Sequence, residues 1–220
     1  MNIGAYTISQ EPSEWNLPDM PWVNLVDDTC IDKIHRTNEY LLYLAEKRNY
    51  AVNRLIDDYP DTTDILCVDA SYVNQTFAIQ RLILDYQNVK DTILGGAIYG
   101  PWRQRARDVF RPRTTWSDPW GVPSMAWTKP DRKGLVKADG VSGVHIFPID
   151  VWKRDVRYRT GTNAVPNAIT ETTNLARDSG LEIRIDMDAM FHRDRRFSRF
   201  KCLRISAGIG TKLRKLAGLY

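Results

Sequence analysis

Cysteine is scarce in this chain. Cys30, Cys67 and Cys202 are its only three, and they lie far apart. An odd, scattered set argues against a disulfide framework and against a zinc cluster, and it implies a reducing, cytoplasmic setting. Long apolar runs are missing too. No uninterrupted stretch approaches the roughly 20 residues needed to span a bilayer. Met1-Asn2-Ile3-Gly4-Ala5 lacks the basic-then-apolar order of a secretory leader. No segment repeats another. The 220 residues, 43% apolar and 26% charged, have the composition of a soluble globular protein. That length suits one sizeable α/β domain and is short for two.

The net charge of +4 is unevenly spread. From Arg193 to Tyr220 there are nine basic residues and one acid, Asp194, so this end carries +8 and the rest carries −4. A basic tail on a mildly acidic body can face phosphate, nucleic acid or an anionic membrane surface, or can simply be solvated.

The most informative stretch is Ile65-Leu66-Cys67-Val68-Asp69-Ala70-Ser71. Four apolar residues running into an aspartate suit a strand buried on both faces. A carboxylate at its C-terminal end stands where open α/β sheets place ligand-binding groups. Other elements follow by pattern. Strands are expected over 2–9, 22–26, 92–99, 141–147 and 181–187, and helical periodicity over 33–59, 76–86 and 168–179. Pro60 stops the first helical stretch, and Gly180 closes the last. Gly95-Gly96 inside a strand suggests close backbone approach. Residues 100–140 hold Pro, Gly, Trp and Arg without a sustained period, a long irregular segment of the kind that is usually functional or mobile. Strands alternating with helices predict a three-layer α/β/α domain around a mostly parallel central sheet.

Several residues could carry chemistry. Asp27 and Asp28 end the second strand and Asp69 ends the fourth element, so in a parallel sheet these acids share one edge. Such hard oxygen ligands suit Mg²⁺ or Mn²⁺ bridging a diphosphate. Taken singly, each acid also suits a helix cap or turn. Arg48 offers a planar fork for phosphate or a base edge, and Asn49 shares a helix face with Asn53. The alternative is an exposed helix face. Gly143 within an apolar strand lets a ligand approach the backbone, or marks a bulge. Glu171 opens a helix, where an acid favours the macrodipole and where a carboxylate could also serve as general base. His192, beyond the last strand, could be a metal ligand or a solvated side chain. Trp102, Trp116, Trp120 and Trp127 cluster in the irregular segment, where exposed rings could stack on sugars or bases, or pack beneath the loop.

In this order, the motifs resemble a GT-A-type, family-2-like nucleotide-sugar glycosyltransferase over roughly residues 1 to 195. Asn2–Ser9 resembles the opening nucleotide-binding strand. Asp27 or Asp28 falls where the family places an acid on the nucleobase. Arg48-Asn49 with Ala51 resembles the Arg-Asn-x-Ala helix near the diphosphate. Ile65–Ser71 resembles the Asp-x-Asp metal strand, with Asp69 as the first acid and Ser71 in the place of the second. Ser142-Gly143 through Trp152 resembles the segment near the donor sugar and acceptor. Glu171-Thr172-Thr173-Asn174-Leu175-Ala176-Arg177 resembles the Glu-Asp-x-Asp-Leu-x-x-Arg helix, with Thr172 replacing an acid often taken as base. His192 lies where many members carry a metal-binding histidine.

The resemblance implies transfer of a sugar from a nucleotide-diphosphate donor to a hydroxyl acceptor. Asp27, Asp28, Arg48, Asn49 and Asp69 would face the donor nucleotide, and Gly143 and Trp120 the donor sugar and acceptor. Asp69, Ser71 and His192 would hold Mn²⁺ or Mg²⁺, and Glu171 would be the base. Residues 100–140 would form the acceptor side. Residues 196–220 would be a basic tail able to hold a cytoplasmic protein at an anionic membrane. The departures at Ser71 and Thr172 keep a second reading open, a degenerate fold kept for binding sugar nucleotides or glycans. A nucleotidyltransferase would show a Gly-rich basic loop where Gln10-Glu11-Pro12-Ser13 stands, and a nucleic-acid role rests on the tail alone.

Overall fold

A computed structural model of the chain describes residues 1–9, 14–17, 19–26, 38–89, 91–99, 106–110, 125–128, 133–138, 140–141, 143–159 and 170–192. Among these residues nine strands form one sheet: β1 (Ile3–Ser9), β2 (Trp22–Val26), β3 (Asp64–Val68), β4 (Thr92–Tyr99), β5 (Ala106–Phe110), β6 (Met125–Thr128), β7 (Leu135–Lys137), β8 (Val144–Pro148) and β9 (Glu182–His192). The helices are α1 (Asn38–Asp58), α2 (Thr76–Tyr86), α3 (Ile149–Lys153) and α4 (Thr170–Asp178), and a short 3-10 turn covers Ala70–Tyr72.

The apolar patterning explains the layers. β3 is buried along its whole length, so successive side chains must serve opposite faces. Ile65 and Cys67 join a core beneath α1, α3 and α4, with Val52, Leu55, Trp152 and Leu175. Leu66 and Val68 join a second core beneath α2, with Ala78, Ile79 and Leu82. Sheet between helices on both faces is the expected three-layer α/β arrangement. α1 ends at Asp58, one residue short of the Tyr59-Pro60 pair, as the steric restriction before proline requires.

The sheet is mixed, which corrects the expectation of a mostly parallel one. It runs β2-β1-β3-β8-β4, with β9 and β5 also on β4, β7 on β9 and β6 on β5. β1 pairs in parallel with β2 and β3, and β4 with β9. The other five pairings are antiparallel. The centre of the mixture is β8, which runs against both neighbours, with Cys67 opposite His145 and Leu94 opposite Ile146. An apolar strand buried on both faces carries no mark of its direction, so Val144–Phe147 looked like any parallel strand.

β1, β2, β3, β4 and β9 therefore share a direction. Their C-terminal ends lie on one edge, with the start of β8 among them. Within 100–140 the structure forms β5, β6 and β7, none of which the aperiodic sequence announced. β9 runs five residues beyond the expected end at 187. Its register against β4 slips between Gly96 and Ala97, so that Gly96 faces Asp186 and Ala97 faces Met190. Such a bulge breaks the period of two on which the shorter expectation rested. Gly96 meets the expected close approach, since a Cβ there would collide with the Phe191 ring. No helix among the described residues is long and apolar enough to cross a membrane.

Candidate functional site

The shared sheet edge brings Arg48, Asp69 and Gly143 together. Asp69 follows β3 directly and precedes the 3-10 turn, yet its side chain makes no capping bond to that turn. Instead Arg48 Nη2 donates to Asp69 Oδ1 at 2.8 Å. The Asp69 N–H donates to the Gly143 carbonyl at 2.7 Å, joining β3 to the start of β8. A Cβ at position 143 would run into Asp69 Oδ2 and sit 2.8 Å from its Cγ. The neighbour that needs a glycine here is thus the Asp69 carboxylate. The Asp69 side chain keeps 41% exposure at the edge, so it can meet a ligand.

Arg48 does not lie on an exposed helix face. It occupies the inward stripe of α1 with Ala45, Val52 and Leu55, and only 5% of it is exposed. Its Nη1 donates to Cys67 Sγ at 2.7 Å. Its guanidinium carbon lies 5.7 Å from the centre of the Tyr158 ring, within cation–π range. Tyr158 is buried, and its hydroxyl lies 2.8 Å from His145 Nε2. Burial pushes the Tyr6 hydroxyl well above its ordinary pKa, with Cys67 and Tyr158 adding to the effect. Sequence reading missed Tyr6, Cys67, His145 and Tyr158 as site residues. The available signal was an arginine at a position where the helical stripe called for an apolar residue.

The remaining expected residues are placed as follows. Asn49 gives its whole amide to Tyr158, donating to that residue's carbonyl at 2.9 Å and accepting from its N–H at 3.0 Å. Asn53, on the same face, accepts from Trp152 Nε1. Ser71 lies half-buried in the 3-10 turn. His192 ends β9, three strands from Asp69 in the order β3-β8-β4-β9. At about 4.8 Å per strand that is roughly 14 Å of sheet. Its side chain is exposed, and its backbone is clamped by Gln75, which accepts from its N–H and donates to its carbonyl, each at 2.7 Å. Thr172 is buried and donates to the Val141 carbonyl at 2.7 Å. Glu171 lies in the first turn of α4, but its side chain is outside the described residues. Asp27, Asp28, Ser142, Trp102, Trp116 and Trp120 are also outside them, as is the side chain of Trp127 in β6.

A second acidic feature had no counterpart in the sequence reading. Asp186, at the β9 bulge, is fully buried and accepts from the Asp188 N–H at 2.9 Å. Burial pushes its carboxyl up to about 7, and the neighbouring Asp85 adds to the rise. Asp85 itself pairs with Arg81 at 2.8 Å. A shallow depression of about 420 Å³ lies near the start of β9, bordered by Lys137, Arg177, Gly180 and Glu182. It is at the sheet edge opposite Asp69, and its Lys137 and Glu182 pair with each other at 3.3 Å.

Among the described residues no three His, Cys, Asp or Glu side chains gather as an all-protein metal cage requires. Asp69 supplies one carboxylate, and Arg48 already holds one of its oxygens. Among the described residues that donor set is too small for a resident ion. It does suit Mg²⁺ or Mn²⁺ arriving with a diphosphate, because such ions are commonly held by one or two carboxylates plus substrate phosphates. Fold and site together define a three-layer α/β protein with an acid-bearing sheet edge. No protein-family model matches the sequence, and no characterised protein matches it.

Proposed function

We propose that the protein is a divergent nucleotide-sugar glycosyltransferase of GT-A type, transferring a sugar to a hydroxyl acceptor. The observation that carries this reading is the half-exposed Asp69 carboxylate, held between a buried guanidinium and a glycine at the C-terminal edge of β1 and β3. Open α/β sheets bind ligands at that edge. β2 ends there as well, and Asp27 and Asp28 follow it directly in the sequence.

In this reading Asp69 meets the donor's diphosphate side, with Ser71 two residues further on in the 3-10 turn. Mn²⁺ or Mg²⁺ bound there with the donor would stabilise charge on the leaving diphosphate. Asp69 is the residue that would hold it. Glu171 accepts the proton of the acceptor hydroxyl as that oxygen bonds to the anomeric carbon and the bond to the diphosphate breaks. Residues 100–140, with Trp120, form the acceptor side. The basic residues of 193–220, interleaved with Leu203, Ile205, Ile209, Leu213 and Leu216, would hold the protein to an anionic membrane where lipid-linked acceptors reside.

A second reading is a sugar-nucleotide binder without turnover. Two observations favour it: the charge of Asp69 is already matched by Arg48, and Thr172 is committed to a backbone carbonyl. Donor hydrolysis and transfer, assayed across the common nucleotide sugars with Mn²⁺, separate the two. Turnover lost in Asp69→Ala supports the enzyme. Binding without turnover supports the binder.

A further inference from the structure

Below Asp69 the core is not apolar. Arg48, Cys67, His145, Tyr158 and Tyr6 form a buried polar layer between α1 and the sheet. Its members come from distant parts of the chain. Cys67 on β3 and His145 on β8 are cross-strand partners, Arg48 reaches down from α1, and Tyr158 comes from the segment after α3. A cation buried this deeply is costly unless something matches it. The carboxylate that matches Arg48 is that of Asp69. The layer thus reaches the surface at the group placed to meet a ligand.

What aims the guanidinium is Tyr158. Its ring packs against the guanidinium at 5.7 Å. Its hydroxyl lies 2.8 Å from His145 Nε2, which anchors the far end of the ring in the core. Its backbone N–H and carbonyl are both held by Asn49, the residue after Arg48 on α1. Asn49 and Arg48 therefore contact the same tyrosine from adjacent positions of one helix.

We infer that Tyr158 is a positioning residue, which fixes Arg48 and through it sets the orientation of Asp69 for the donor. This rests on the donor-binding reading of the edge, and it changes the part Arg48 plays. With 5% exposure Arg48 acts on the Asp69 carboxylate from beneath and does not grasp the phosphates itself. Asn49 acts in the same way, one step further back. A carboxylate turned by about 1 Å can cost up to roughly 100-fold where geometry matters to the chemistry.

Two readouts test this on the full chain. In nitrogen-15 spectra of the arginine side chains, Arg48 should give sharp, slowly exchanging guanidinium signals in the wild type. Tyr158→Phe keeps the ring and should retain them, whereas Tyr158→Leu should broaden them to the pattern of exposed arginines. In calorimetry with UDP-glucose and the other common nucleotide sugars, Tyr158→Leu should weaken donor binding about tenfold or more, with Tyr158→Phe close to wild type. If Tyr158→Leu does not fold, Asn49→Ala frees the tyrosine backbone and should give the same loosening. Unchanged Arg48 signals in a folded Tyr158→Leu or Asn49→Ala protein would overturn the inference. So would loosened signals with unchanged donor affinity. Loosened Arg48 signals in a protein that binds no nucleotide sugar even as wild type would support the aiming of Arg48 and sink the donor reading instead.

Discussion

The carboxylate of Asp69 occupies the volume that a side chain at position 143 would need. The two residues are 74 positions apart in the chain, and the Asp69 N–H bonded to the Gly143 carbonyl locks them together. Gly143→Ala must therefore turn the carboxylate away from Arg48 or open the β3–β8 junction. Overpacking of this kind costs about 1–3 kcal/mol, and here it also strains the half-exposed Arg48–Asp69 ion pair. Urea unfolding should show that loss. The variant should also bind nucleotide sugars less tightly than wild type.

Thr172 donates to Val141 from inside the core, two residues ahead of Gly143. Thr172→Val should cost about 1–2 kcal/mol by leaving that carbonyl unmet. Thr172→Asp should cost more, about 3–5 kcal/mol, because it buries an unpaired charge against a carbonyl oxygen. Placing an acid at this position is therefore expected to lower the urea midpoint at pH 7 and to add no turnover. A Thr172→Asp protein as stable as wild type would show that α4 can swing out from the Val141 carbonyl.

Asp186 should make stability fall as the pH rises. Its folded carboxyl titrates near 7 because burial and Asp85 disfavour its charge, while in the unfolded chain it titrates near 3.8. Between those values the folded state holds a proton that the unfolded state has lost, so stability declines by on the order of 1.4 kcal/mol per pH unit from this group. Below that window the effect vanishes, and above it the loss is complete. Asp186→Asn removes the titration, and its amide can donate to Asp85. Denaturant melts from pH 4.5 to 8 should give a shallower decline for the variant, which should be the more stable protein at pH 8. Parallel curves would refute the assignment.

Much of this architecture was legible residue by residue. The two-face burial of Ile65–Val68, the Ile79, Leu82 and Tyr86 face of α2 and the arrest of α1 before Pro60 all follow from periodicity and chain stereochemistry, whereas Phe77, expected on that same face, is exposed. Direction did not, because Val144–Phe147 is apolar on both faces. β5, β6 and β7 escaped because Pro, Trp and Arg interrupt any alternation in 100–140. The last strand was cut short because the bulge after Asp186 shifts its register. At the site, Asp69, Arg48 and Gly143 each stood out by type and position. Their mutual contact did not, since a glycine in a strand suits a ligand's approach equally well, and here the Asp69 carboxylate takes that space. Tyr158 was invisible for a different reason. It lies outside any periodic element, 110 positions from the arginine it holds, and only tertiary packing joins them. Asn49 stood out as a candidate ligand contact. In the fold its amide is fully used by the backbone of Tyr158, a partner that helix periodicity cannot reveal.

The central claim is that Asp69 meets a nucleotide-diphosphate donor at this edge. Calorimetric titration of nucleotide sugars into wild type and Asp69→Asn, with and without Mn²⁺, tests it most directly. The account expects no binding of Mn²⁺ alone, saturable binding of one donor class with Mn²⁺ to the wild type, and at least about a tenfold loss in a folded Asp69→Asn protein, since a single ligand to a bridging ion is removed. Donor binding as tight in folded Asp69→Asn as in wild type, or no binding of any nucleotide sugar by the wild type, would contradict it.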